Sequence, residues 1–183
     1  ILGNNLKKVF FQSKTFNMKA LSVLLSVSIV LMALTGCHLK EKRAKEYRDT
    51  ILKSVQAVID SSLEYGDALQ SYEKNRALQS QQKYLTLVNQ TIAKVGELKD
   101  FEGDTTLQVY STELLNFYKS TLEKEHGPFL QNVKAESFNE EEQIIADSLI
   151  GKFAMDENKY WERFNWAEKK FYKEESINLV ETE

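Results

Sequence analysis

Glu123-Lys-Glu-His126 is the one Glu-x-x-His in this chain, a carboxylate and an imidazole one helical turn apart. A Glu-x-x-His pair can ligate iron or zinc from one helix face. A di-iron bundle needs that motif on two helices, with a further glutamate from each of two others. The chain has only one other histidine, His38, and it stands in no Glu-x-x-His. The spacing therefore predicts no metal centre. His126 is read instead as a surface or capping histidine. It precedes Gly127-Pro128, at an expected helix end where a partly cationic imidazole suits the dipole. Its replacement by alanine is then expected to shift stability by no more than ~1 kcal/mol.

Other chemistries lack parts. There is no Cys-x-x-Cys-His for haem, no Gly-x-Ser-x-Gly, and no cluster of glycines to cradle a phosphate. Met155 falls opposite the expected core stripe of its helix, so it makes a poor axial partner for His126. Glu140-Glu141-Glu142 reads as a solvated helix start. The expectation is a chain with no enzymatic activity and no cofactor.

The single cysteine, Cys37, has a different setting. Met18-Lys19 is a short basic start. Ala20–Ala33 is apolar over 14 residues except for Ser22, Ser26 and Ser28. That is the length of a signal-peptide core, against the ~20 residues a membrane span needs. Leu34-Thr35-Gly36-Cys37 comes next. This run resembles the lipobox of bacterial lipoproteins. The resemblance implies a diacylglyceryl thioether on Cys37, cleavage after Gly36, and a membrane partner reached through the lipid. Two or three acyl chains suffice for stable anchoring without a transmembrane helix. Residues 1–17 are read as upstream sequence or a mis-assigned start, 18–36 as signal peptide, 37–45 as lipid anchor and tether, and 46–180 as the folded domain.

The mature chain of 147 residues carries 20 Lys and Arg against 27 Asp and Glu, a net charge of −7. With no broad basic stretch, it is a poor nucleic-acid binder. It has one proline and five glycines, which favours long helices, and no segment alternates as a strand does.

The mature chain holds four amphipathic segments. The first, from about Lys40 towards Tyr72, repeats Tyr47, Ile51, Val55, Val58, Ser62 and Tyr65, widened by Leu52, Ile59 and Leu63. Its end lies at Gly66-Asp67 or, preferably, near Lys74-Asn75, because Ala68-Leu69 continues the apolar pattern. The second, Asn75 to Lys99, carries Leu78, Leu85, Val88, Ile92 and Val95. Phe101-Glu-Gly-Asp104 breaks the chain. Thr105 and Gln108 then read as a capping box, leading into Leu107, Tyr110, Leu114, Phe117 and Thr121. Gly127-Pro128 should end this third helix. A loop of about ten residues leads to Asn139, a good cap for a fourth helix reaching about Glu175. Its stripe is Ile145, Leu149, Phe153, Tyr160, Phe164, Ala167 and Phe171, all within about 100° at 100° per residue. The fold expected is all-α, an antiparallel up-down-up-down four-helix bundle. Phe101-Glu-Gly-Asp104, Phe117-Tyr118 and Phe164-Asn-Trp-Ala-Glu-Lys-Lys-Phe171 resemble four-helix surface lipoproteins of Gram-negative bacteria, which implies this fold and no particular activity.

Two surface features remain. Lys40, Lys42, Arg43, Lys45 and Arg48 come just after the lipid site, either as contacts to an anionic membrane surface or as a solvated linker balanced by Glu41, Glu46 and Asp49. Trp166 points about 120° from the centre of its helix's stripe. It is either a contact for an envelope protein partner or packed beneath the loop at 127–138. The function expected is a membrane-anchored envelope lipoprotein, a helical interaction or scaffold module, with a small-ligand or metal-binding bundle as the alternative. His38 after the cysteine is not the aspartate that retains some lipoproteins at the inner membrane, which favours the outer membrane.

Overall fold

The computed structural model describes the backbone of residues 18–175 and the side chains of residues 39–175. Residues 1–17, the side chain of Cys37 and the end of the expected domain beyond 175 lie outside that range. The described chain is helical, with no strand among the described residues. It comprises α1 (Met18–Gln70), α2 (Lys74–Gly96), α3 (Thr106–Thr121), a π-turn (Leu122–His126) leading directly into α4 (Gly127–Asn132), and α5 (Glu140–Glu174). The chain divides into two units between Lys40 and Glu41. The helical core belongs to the second unit. Among the described residues no helix is long and apolar enough to cross a membrane.

Each long helix of that unit presents a seam whose positions alternate by four and three residues, the 3.5-residue period of packed bundles. In α1 it runs Ala44, Arg48, Ile51, Val55, Val58, Ser62, Tyr65, Leu69. In α2 it is Ala77, Gln81, Tyr84, Val88, Thr91, Val95. In α3 it is Leu107, Ser111, Leu114, Tyr118, Thr121. In α5 it is Ala146, Ile150, Phe153, Glu157, Tyr160, Phe164, Ala167, Phe171. The apolar members of these seams form most of the core, with Tyr84, Tyr118, Phe164, Phe171, Leu114 and Leu115 among its largest fully buried side chains.

Two residues expected on core stripes are not there. Leu63 is 67% exposed and Ile145 is 40% exposed. In both cases the neighbour one step away, Ser62 or Ala146, holds the seam position instead. A 3.5-residue seam drifts against a straight 3.6-residue projection. The drift matters most near helix ends, such as the start of α5.

The helix ends obey local chemistry with two exceptions. α1 passes straight through Gly66, and the turn falls at Ser71–Glu73. Tyr72 closes it in the left-handed region (φ +55°), a conformation that costs a non-glycine residue energy. Two bonds hold it there: its carbonyl accepts from Phe138 N at 2.8 Å, and its hydroxyl donates to Asp147 at 3.1 Å. Phe101–Asp104 forms the expected break, with Glu102 and Gly103 both at positive φ. Asn139 caps α5 in a reciprocal box with Glu142.

The first exception is the start of α3. Thr105 makes no side-chain cap. Asp104 Oδ1 accepts from Thr106 N at 2.7 Å instead. Gln108 reaches away to donate to the carbonyls of Val95 and Leu98 at 2.8 and 2.9 Å, stitching α3 to the end of α2. The second exception is Gly127-Pro128, which does not end the helix. The chain continues through the widened π-turn into α4. In an unbroken α-helix the proline ring would clash with the carbonyl four residues earlier; a π-turn is a place where that ladder is already opened. A loop over 133–139 then returns, held by Lys74 N donating to Glu136 O at 2.8 Å and by the Lys74 ammonium on the Val133 carbonyl.

Candidate functional site

Most seam positions carry apolar or small residues. Ser62, Gln81 and Glu157 do not fill theirs with apolar bulk, and all three lie at about the same level as the π-turn. In the π-turn that follows α3, Leu122 and, four residues on, His126 are both buried. A polar layer is thereby assembled inside the core, among three tyrosines.

His126 is only 3% exposed. Its Nδ1 lies 2.9 Å from the Tyr65 hydroxyl. The ring packs against Tyr65 at 5.5 Å and Phe153 at 6.1 Å between centroids. Tyr84 stands 6.0 Å from Tyr65 and 6.2 Å from Tyr118. The Tyr118 hydroxyl donates to Glu157 Oε1 at 2.6 Å, a short charge-assisted bond. Gln81 Nε2 donates to the Leu122 carbonyl at 2.9 Å, a second bond to a carbonyl that also accepts from Gly127 N in the widened turn. Gly127 gives that brace room. A Cβ there would lie 3.0 Å from the Leu122 carbonyl oxygen and 3.2 Å from Gln81 Nε2.

The reading of His126 as a surface or capping residue is thus overturned. It is a buried core side chain, because the helix it was expected to terminate continues. Burial is also the main cause of its low basicity: removal from water disfavours the imidazolium and pushes the pKa down to about 4. Glu125 opposes that shift and Lys152 adds to it. Burial likewise pushes the hydroxyls of Tyr65, Tyr84 and Tyr118 up, so all three stay protonated.

The imidazole is therefore neutral at pH 7. The unfolded chain takes up a proton near pH 6.5 that the folded chain refuses until about pH 4. Stability from this residue is complete above pH 6.5 and is lost as the pH falls towards 4. The loss expected is about 3 kcal/mol. Urea midpoints of the parent chain and of His126→Phe, measured from pH 7 to pH 4.5, check this. The parent's decline should be steeper by roughly that amount. Parallel curves would show that His126 does not carry the difference.

The components of a metal site stand apart. Glu123 lies on the surface, 3.8 Å from Lys119. Among the described residues no group of three His, Cys, Asp or Glu side chains is placed to hold an ion. Chelator treatment of the purified chain is expected to leave its melting temperature unchanged.

The tether cations separate into different environments. Arg43 pairs with Glu102 at 2.9 Å and Lys42 with Glu46 at 3.9 Å, all exposed. Lys45 is exposed, and Lys40 ends the first unit. Arg48 turns inward. It bonds Glu168 at 2.6 Å and Asp49 at 2.9 Å, and its guanidinium lies 4.3 Å from the Tyr172 ring centre. Trp166 is 52% exposed. It does not pack beneath the 127–138 loop. It stands edge-on to Tyr110 of α3 at 5.5 Å, with the Lys170 ammonium 5.7 Å from its own ring and Arg163 5.1 Å from that of Tyr110.

Sequence reasoning included Tyr65 in the core but missed its polar partners. Glu157 could have been found from the four-three spacing between Phe153 and Tyr160, which places a carboxylate on the seam. Comparison with protein-family models, with curated proteins and with solved structures returns no match to this chain.

Proposed function

We propose that this chain is the precursor of a lipid-anchored envelope protein whose helical domain is a non-enzymatic interaction or scaffold module. The run Met18–Cys37 carries the anchoring half: a basic start, a 14-residue stretch that is apolar except for three serines, then Leu-Thr-Gly-Cys. Cys37 takes the lipid, and Lys40, Lys42, Arg43 and Lys45 lie next to the anionic membrane surface. Each such charge contributes ~1 kcal/mol there. The outer membrane is the favoured site.

The interaction half draws on Trp166. A half-exposed tryptophan costs solvation and is enriched where partners dock. Here it is held rigid by Tyr110 and flanked by Arg163 and Lys170, so little side-chain freedom is lost on binding. Behind it, the domain is an antiparallel up-down-up-down bundle. The contacts Tyr47–Phe171, Arg48–Glu168 and Tyr72–Asp147 support that arrangement, because residue numbers on α1 rise as those on α5 fall.

Mass spectrometry of the chain extracted from membranes tests the anchoring. The N-terminal peptide should begin at Cys37 and carry the added mass of diacylglyceryl, with or without a third acyl group. A mature chain that begins elsewhere, or an unmodified Cys37, would overturn the proposal.

A further inference from the structure

Beside His126 lies a half-open cleft of about 240 Å³, walled by Tyr65 and Gly66 of α1 and by Ile150, Phe153 and Glu157 of α5, with the exposed Leu63, Asp67, Gln70 and Ala154 at its rim. It exceeds the ~30 Å³ share of one water many times over, and it falls just short of the roughly 300–1,000 Å³ that holds drug-sized molecules. Its origin is local. The seam positions that would otherwise fill it carry serine and glutamate. Ser62 spends its hydroxyl on the Ile59 carbonyl at 2.7 Å.

Two further observations point to an occupant. Buried polar atoms are almost always paired, yet His126 Nε2 is buried and has no partner among the protein atoms. The hydrogen bond on the other ring nitrogen fixes what Nε2 offers. Nδ1 is 2.9 Å from the Tyr65 hydroxyl, a pair in which either group can donate; that hydroxyl has no other hydrogen-bond partner among the described residues, so its proton is assigned to Nδ1. With that phenol donating to Nδ1, the neutral ring carries its own proton on Nε2. Nε2–H is then a donor awaiting an acceptor. The second observation is Gly66. It lies inside α1, where glycine is unfavourable relative to alanine, with neither a turn nor a positive φ to require it. A Cβ built there meets nothing within 4 Å. The absent side chain leaves the mouth of the cleft open.

We propose that this cleft binds one small, uncharged, mainly apolar molecule that presents a carbonyl-type acceptor to His126 Nε2. The walls from Tyr65, Ile150 and Phe153 take its apolar body. Glu157, already accepting from Tyr118, disfavours an anionic ligand. The site is independent of the lipid anchor.

Only two histidines occur in the chain, so ¹⁵N-histidine labelling gives one reporter, His126, and one internal control, His38. The full chain in lipid nanodiscs is titrated with acetophenone and, separately, with ethylbenzene, which has the same shape without the carbonyl. Acetophenone should shift the His126 Nε2 resonance saturably and leave His38 unmoved. Its half-saturation should come at a free concentration roughly tenfold below that of ethylbenzene, the worth of one buried hydrogen bond. Gly66→Leu, which closes the mouth, should abolish both responses while the unliganded His126 resonances stay where they were. The proposal is overturned if acetophenone leaves His126 unmoved up to its solubility limit. It is equally overturned if both histidines shift together, as simple partition into lipid would make them, if the two probes bind alike, or if the Gly66→Leu chain responds as the parent does.

Discussion

Leu114→Ala lowers the stability of the domain by about 2–5 kcal/mol, whereas Lys119→Ala, five residues along the same helix, changes it by no more than ~0.5 kcal/mol. Leu114 is fully buried at a seam position of α3, between Ser111 and Tyr118. Removing three carbons there forfeits their transfer from water and leaves a void. Neighbours as large as Tyr118 and Leu115 cannot close it without leaving their own rotamers. Lys119 keeps a side chain that is 38% exposed, 3.8 Å from Glu123. A solvent-screened pair of that kind contributes little. Urea melts of the two variants measure the contrast. With a domain stability of about 5–15 kcal/mol typical for proteins, the leucine variant should lose a large share of the whole. Equal midpoints would mean that the seam through α3 is misassigned.

The parts of this fold that could be read from the sequence are those set by strong local chemistry or by long periodicity. The Asn139 cap, the Phe101–Asp104 break and the apolar run through Phe164, Ala167 and Phe171 are of this kind. So is the continuation of α1 past Gly66, which Ala68 and Leu69 signalled. The polar layer was hidden for a specific reason. Gly127-Pro128 is a strong local stop, and reading it as one placed His126 at a surface end. In the fold, tertiary contacts override it. Gln81 from α2 adds a second hydrogen bond to the Leu122 carbonyl, which already accepts from Gly127 N; Gly127 leaves room for that brace, and the proline comes where the ladder is already open. Once the helix continues, His126 lands four residues beyond Leu122 on the buried face. Leu63 and Ile145 were misplaced by the smaller effect of seam drift. Trp166 is different again. Its outward direction was legible from phase alone, but its support by Tyr110 on another helix could not be read from one segment.

The second large effect concerns attachment, on which the functional proposal rests. Acyl chains contribute ~0.8 kcal/mol per buried CH₂, so two or three chains hold a protein on a bilayer far beyond what the lysines and arginines near the anchor supply. Those charges are also screened by salt, whereas the lipid is not. Cys37 lies outside the unit that begins at Glu41. Cys37→Ser should therefore abolish salt-resistant membrane attachment and leave the bundle's helicity and melting temperature unchanged. The direct measurement is fractionation of cells producing the parent chain or Cys37→Ser, with membranes washed in high salt. The parent should stay in the membrane pellet and the serine variant should not. A serine variant that pellets with the washed membranes as the parent does would contradict lipid anchoring through Cys37.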